Sequence, residues 1–353
     1  MGLEKQLRKQ SAACTALGSP LTAALLHAAA DDYARRGAVR ALLADWRTPA
    51  HKDDAMALRF AGGLHDAVLA GRAPALARFY PSAGGRFGAA EGQALWQAAR
   101  GHIGASRRSL RRWMERSVPQ TNEVGRAAAL LAGLLQIAAA TRLPLALYEI
   151  GASAGLNLLL DQFAYRLGRH RWGERAARVQ LRCAWHGRAP ALDAPLQVRA
   201  RRGCDIAPVR WRKAHERRRL EAWVWPDMMA RLTALRAALD LAAAHPPRVE
   251  KSTAAAWAAK RLAAPRRGEV RVLMHSVVWP YLPAAERRAI AAHMEALGTR
   301  ASAAAPIAWL AFEPGARVAQ GFVLRLRLWG AGDARPRVLA RGQPHGSAVR
   351  WLL

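Results

Sequence analysis

The sequence has little cysteine, little lysine and no apolar run long enough for a membrane span, and each shortage narrows what the protein can be. Cys14, Cys183 and Cys204 are an odd number at wide spacings with no C-x-x-C pair, which argues against a disulfide framework and a thiolate zinc site. A reducing cytoplasm is the expected compartment. Cys183, His186, Cys204 and Asp205 lack paired ligand spacing, so no metal is expected. The opening residues carry charge but no clean apolar core before a cleavage site, so no signal peptide is expected. Ala127–Ala140 is the longest apolar-rich run, but Gln136 interrupts it and Arg142 follows. It falls short of the roughly 20 residues a spanning helix needs, and no membrane partner is expected.

What is present is a chain of 353 residues with 52% apolar composition, enough to fill a sizeable core. The formal net charge is +30, and it is almost wholly arginine, since the only lysines are Lys5, Lys9, Lys52, Lys213, Lys251 and Lys260. Such a field attracts phosphates and makes nucleic acid a candidate partner. The plainer alternative is arginine spread over solvated helical faces. Arg107, Arg108, Arg111, Arg112 and Arg116 recur at helical spacing beside Trp113, and Arg217 to Arg219 form a second cluster. Neither cluster has the interleaved aromatics of a base-stacking platform.

The pattern divides the chain. Before residue 143 it reads as helices, with 3.6-residue periodicity over Leu21–Leu43, Asp53–Leu69 and Ala89–Met114. Gln120, Thr121, Asn122 and Glu123 follow Pro119 and lead into a helix over Val124–Ala140, where they either cap the helix or contact substrate. After Pro144 short apolar runs alternate with helical stretches, as in a parallel sheet of βαβ units. Strands are expected at Leu145–Ile150, Gln197–Ala200, Arg248–Lys251, Val270–His275 and Ile307–Phe312. Helices are expected near Leu156–Tyr165, Pro226–Ala244, Ala254–Ala264 and Ala284–Leu297. Phe322–Trp329 and Ala348–Leu352 are expected to pair as a closing antiparallel hairpin, and Val179–Trp185 to form an extra strand. The expected architecture is therefore α/β: a helical cap domain over residues 1–118, then an α/β domain over 119–353 with an insertion near 168–195.

Leu145 to Asn157, LALYEIGASAGLN, is a strand, a glycine-containing turn and a helix start. Glycine permits the tight turn and lets the backbone approach a ligand closely. The run Glu149-x-Gly151-x-Ser153-x-Gly155 resembles the first motif of class I S-adenosylmethionine-dependent methyltransferases. That resemblance implies a Rossmann-like, mostly parallel sheet with a C-terminal antiparallel hairpin, and S-adenosylmethionine as cofactor. It places Glu149, Gly151, Ala152, Ser153, Gly155 and Asn157 around the cofactor and Asp205 at the ribose. Ser153 stands where the family usually has glycine, and Asp205 lies far beyond Gly155. The resemblance also puts the end of the strand at Val270–His275 nearest the transferred group. Histidine is the side chain suited to accept a proton near neutral pH, which makes His275 the candidate catalytic base. Gln120, Asn122, Glu123, Ser276 and Tyr281 are candidate contacts to a small-molecule substrate. A packing role for His275 above Trp279 and Tyr281 is the structural alternative.

The same turn spells G-x-S-x-G, the nucleophile elbow of α/β-hydrolases, with Glu313 or Asp205 as acid and His345 as base. Against it, the residues before the turn are helical, and no HGGG-type segment precedes Ser153. A third alternative is a non-catalytic nucleic-acid-binding protein. Over nearly its whole length the chain resembles a bacterial family known as domain of unknown function 2332, through Gln120 to Glu123, Glu149 to Asn157, Arg202 to Pro208, Trp225 to Asp227, His275 to Tyr281, Pro306 to Pro314 and His345-Gly346. The resemblance implies that these segments gather around one site at the carboxyl ends of the strands.

Overall fold

The structure is a computed structural model and describes residues 2–46, 55–317 and 320–353. Its helices are α1 (Leu3–Ala16), α2 (Pro20–Ala34), α3 (Ala38–Leu42), α4 (Met56–Leu69), α5 (Pro74–Ala77), α6 (Gly92–Arg116), α7 (Ala127–Thr141), α8 (Ala214–Ala222), α9 (Met229–Ala244), α10 (Ala254–Arg261) and α11 (Ala284–Gly298). Its strands are β1 (Leu145–Ile150), β2 (Ala164–Leu167), β3 (His170–Trp172), β4 (Gln180–His186), β5 (Val198–Asp205), β6 (Val249–Lys251), β7 (Val270–Ser276), β8 (Ile307–Pro314), β9 (Phe322–Trp329), β10 (Arg337–Gly342) and β11 (Ala348–Trp351). Two compact units result: Met1–Thr121 with Trp211–Thr233, and Asn122–Arg210 with Ala234–Leu353.

The first unit is helical and closes around Leu7, Leu25, Leu26, Phe60 and Tyr80, all fully or nearly fully buried. The periodic stretch Leu21–Leu43 is two helices, because Arg36 turns left-handed (φ 60°) and a Cβ on Gly37 would overlap the Asp32 carboxylate. The helix expected from Asp53 is described from Met56 onward; Asp53 and Asp54 lie outside the described residues. Pro226 and Asp227 do not open α9, which starts at Met229. Asp227 instead accepts hydrogen bonds from Ser19 Oγ (2.5 Å) and Leu21 N–H (2.9 Å), satisfying the first turn of α2.

In the second unit the described strands form one sheet in the order β3-β2-β4-β11-β10-β9-β8-β7-β1-β5-β6. β6, β5, β1, β7 and β8 run parallel, and β9, β10 and β11 follow antiparallel. The fold is mixed α/β with a large, mostly parallel sheet and antiparallel C-terminal strands. β4 joins β11 in parallel and β2 and β3 continue to the far edge, so the expected insertion extends the sheet.

Strand alternation sorts the side chains onto two faces. Ala146, Tyr148, Ile150, Leu273 and Ile307 pack with Trp257 of α10 and with Ile290, Met294 and Leu297 of α11. The opposite face receives α7, where a Cβ on Gly133 would stand 2.4 Å from Leu310 Cδ1. The missing side chain lets α7 approach β8 closely. With the 3-10 turn before it, Val124–Thr141 is an 18-residue segment long and apolar enough to cross a membrane, longer than its sequence pattern implied. In this unit 72% of it is buried, as expected of a core helix.

Two expected elements are corrected. Leu156–Tyr165 is not an α-helix: it is a 3-10 helix, Leu156–Gln162, that gives way to β2 at Ala164. Leu156, Leu158, Leu159 and Leu160 are all buried, leaving no solvated helical face, and Phe163 to Tyr165 suit a strand. The closing hairpin of Phe322–Trp329 with Ala348–Leu352 does not exist, because β10 lies between them. β10 escapes notice because its buried residues, Leu339 and Ala340, are adjacent and show no two-residue period.

Candidate functional site

β1 is the middle strand of the five-strand parallel part of the sheet, which continues to its two sides as β5 then β6, and as β7 then β8. The order reverses between β1 and β7, and open α/β sheets bind ligands beyond the carboxyl ends of the strands at such a point. The turn at Gly151 to Gly155 occupies it. Gly151 (φ 68°) and Gly155 (φ 78°) are left-handed, and a Cβ on either would collide, with Val278 or with Pro247 and Val249. These glycines are therefore demanded by the protein's own packing as well as by the turn. Ser153 is also left-handed (φ 55°), a conformation that is costly for a residue with a Cβ.

Asp205 holds this strained turn in place. Its Oδ2 accepts from Ser153 N–H and its Oδ1 from Ala207 N–H, both at 2.9 Å. Ala152 N–H donates to Cys204 O (3.0 Å), and Gly155 N–H to Ala152 O (2.7 Å). Asn122 and Glu123 fix the following segment: Leu156 N–H donates to Asn122 Oδ1 (2.9 Å), and Asn157 Nδ2 to Glu123 O (3.4 Å). Glu123 Oε1 also accepts from Gly125 N–H (3.3 Å) as the cap of the 3-10 turn before α7. The chain around His345 closes on the same segment, with Arg126 Nε donating to Pro344 O (2.9 Å).

Three buried polar atoms between residues 149 and 157 have no hydrogen-bond partner: Glu149 Oε2, Ser153 Oγ and Asn157 Oδ1. Buried polar atoms are seldom left so. Burial, with added repulsion from Asp205 and a smaller opposing effect of Arg126, pushes the Glu149 pKa up to about 8. Perturbed carboxyls of this kind gather at functional sites.

The other expected residues separate. Glu149 and Ser276 lie on the α7 face, whereas His275 lies on the opposite face, since neighbours along a strand point in opposite directions. Tyr281 is 73% exposed. Gln120 belongs to the helical unit. Val277, immediately after β7, is left-handed (φ 56°), a rare conformation for a β-branched residue. It turns the chain so that Val278 packs towards Gly151.

His275 belongs to a second polar group. Trp309 Nε1–H donates to His275 Nε2 (3.0 Å), and indole nitrogen can only donate. His275 therefore carries its proton on Nδ1 and gives it to Glu313 Oε1 (2.7 Å). The same oxygen accepts from Val278 N–H (3.1 Å) and Trp279 N–H (3.3 Å). Trp279 stacks on the His275 ring, 5.1 Å between centroids at 16°. Both nitrogens of His275 are occupied, so it takes a substrate proton only by giving up Trp309. Glu313, Trp309 and Trp279 border a cavity of about 340 Å3 together with Arg325 and Pro336. Alternation in β8 and β9, which puts Glu313, Trp309 and Arg325 on one face, carries the signal for this cavity only once the two strands are paired.

The arginine clusters are partly neutralised. Arg217 pairs with Glu221 (3.7 Å), Arg218 with Asp66 (2.9 Å) and Arg219 with Glu216 (2.6 Å). Arg111 pairs with Glu115 (2.6 Å) and lies over the Trp46 ring. Arg107, Arg108 and Arg112 line an open cleft of about 510 Å3 where α6 kinks at Ser106. The cysteines are free and buried, and burial pushes their thiols up to about 11 for Cys14 and about 12 for Cys183 and Cys204. Such thiols are poor nucleophiles and poor ligands. No group of three or more potential metal ligands occurs among the described residues.

Fold and site thus define a mixed α/β protein with a buried polar turn at the reversal point of a large sheet. The chain matches the family described as "Uncharacterized protein conserved in bacteria (DUF2332)" over residues 4–351, and it belongs to that family. Neither the curated proteins nor the solved structures gave a match.

Proposed function

We propose that this protein is a methyltransferase-like enzyme that binds S-adenosylmethionine at the turn Gly151 to Gly155 and acts on a small molecule. The observation that carries the reading is the set of unpartnered buried atoms, Glu149 Oε2, Ser153 Oγ and Asn157 Oδ1, at the point where the strand order reverses. The parallel strands, numbered by their place in the chain, run 3-2-1-4-5, as in doubly wound sheets. The residues fit the amino-acid end of the cofactor: Glu149 and Asn157 offer acceptor oxygens to an ammonium, and Ser153 offers a hydroxyl. They fit the ribose less well, since both Asp205 oxygens already hold backbone N–H groups. In this chain Asp205 positions the turn. When bound, the cofactor supplies an electrophilic methyl group. Glu149 and Asn157 orient it, and the buried turn keeps water away.

Isothermal titration with S-adenosylmethionine and S-adenosylhomocysteine tests the reading. Binding is expected with both, weakened about tenfold or more in Asn157→Leu, which removes an acceptor to a charged donor. The absence of heat with either ligand at millimolar concentration overturns it. The serine-hydrolase alternative lacks an assembled triad, because Ser153 Oγ is buried and bonded to no histidine. A fluorophosphonate probe is accordingly expected to leave Ser153 unlabelled.

A further inference from the structure

The cavity at the ends of β7, β8 and β9 has its own chemistry, separate from the turn at Gly151. Its aromatic wall is the pair Trp279 and Trp309, with ring centroids 5.5 Å apart at 59°. Its acid is Glu313, whose Oε1 is consumed by three N–H donors while Oε2 is buried and unpartnered. Its base is Arg325, which has no ion-pair or hydrogen-bond partner among the described residues. The neighbouring Arg327 is different, being tied to Glu295 and to Ala334 O (2.8 Å) and lying over the Trp329 ring. The cavity therefore presents one spare carboxylate oxygen and one spare guanidinium beside two indole faces.

The strand register fixes their spacing. Ala311 lies opposite Arg325 and Glu313 opposite Val323, which makes Glu313 and Arg325 diagonal neighbours on one face, roughly 7–8 Å apart at the backbone. They are not within ion-pair distance of each other. A molecule with an amine and a carboxylate on one carbon spans such a gap, giving its ammonium to the acid and its carboxylate to the arginine fork. Indole faces attract the ammonium and cover an apolar side chain. A volume of about 340 Å3 falls within the usual range for small-molecule sites.

We propose that this cavity is a second ligand site, for a free amino acid or amino-acid-like zwitterion with an apolar or aromatic side chain. Glu313 Oε2 takes the ammonium, Arg325 the carboxylate, and Trp279 with Trp309 the side chain. The site stands independently of the cofactor reading and shares none of its residues. Its loop does adjoin that site, since Val278 packs at Gly151 while Trp279 lines the cavity.

Calorimetric titration of the full chain with L-phenylalanine, phenethylamine and phenylpropionate tests it, the last two each lacking one charged group. Phenylalanine is expected to bind about tenfold or more tightly than either analogue, since each loses a charged hydrogen bond. Arg325→Gln is expected to reduce phenylalanine to the affinity of phenethylamine, leave phenethylamine unchanged, and leave S-adenosylmethionine titration unchanged. Glu313→Gln, which keeps an acceptor for His275, is expected to weaken phenylalanine and phenethylamine but spare phenylpropionate. Three results overturn the proposal: no binding of phenylalanine at millimolar concentration, equal binding of a single-charge analogue, or phenylalanine binding indifferent to Arg325→Gln. Should Glu313→Gln fail to fold, the half-exposed Arg325 position decides the matter alone.

Discussion

Glu149→Gln isolates the most perturbed carboxyl of the candidate site. Glu149 is 2% exposed, and burial, aided by Asp205 and opposed by Arg126, raises its pKa from 4.5 to about 8. Between those values the unfolded chain has released the proton and the folded chain still holds it. The unfolded state then binds fewer protons, so stability falls as pH rises, by about 1.4 kcal/mol per unit for this one group. The stabilisation is complete below the unfolded pKa and lost as pH climbs to the folded one. From about pH 5 to about pH 7 the loss is about 3 kcal/mol. Glutamine has the same shape and no proton to release. The stability difference between variant and parent is therefore expected to move by about 3 kcal/mol in favour of Glu149→Gln across that interval. Urea unfolding of both proteins at matched pH values measures it. A difference that stays constant with pH means that Glu149 is ionised in the folded protein, and refutes the reasoning.

Two further outcomes are expected. Asp227→Ala removes the acceptor shared by Ser19 Oγ and Leu21 N–H and is expected to cost about 1–2 kcal/mol in thermal unfolding, with partial recovery in Asp227→Asn. An unchanged melting temperature contradicts the capping role. Ser153→Gly relieves a left-handed residue whose hydroxyl bonds to nothing in the protein, so stability is expected to hold or rise, by up to about 1 kcal/mol; a clear loss shows that Ser153 Oγ supports the turn.

Much of the α/β unit is legible along the chain. β1 and β9 carry continuous or alternating apolar patterns, and their limits coincide with those patterns because both are buried in the sheet. Leu156–Tyr165 misleads because leucine favours any buried element, and only the docking of β2 beside β4 decides between helix and strand. Trp225 to Asp227 misleads in the same way. Pro-Asp reads as a helix start, yet the N–H group that Asp227 satisfies is that of Leu21 in α2, far away in sequence.

The candidate site divides along the same line. The order strand, turn and Gly151-x-Ser153-x-Gly155 is local, and the sequence alone determines that a tight, glycine-containing turn follows β1. Local pattern also determines where β1, β7 and β8 begin, because each is a short apolar run. Only tertiary structure decides that Asp205 pins the turn, that His275 and Ser276 face opposite ways, and that Glu313 and Arg325 share a cavity. Those relations depend on strand pairing and register, and a shift of one residue moves every side chain to the other face.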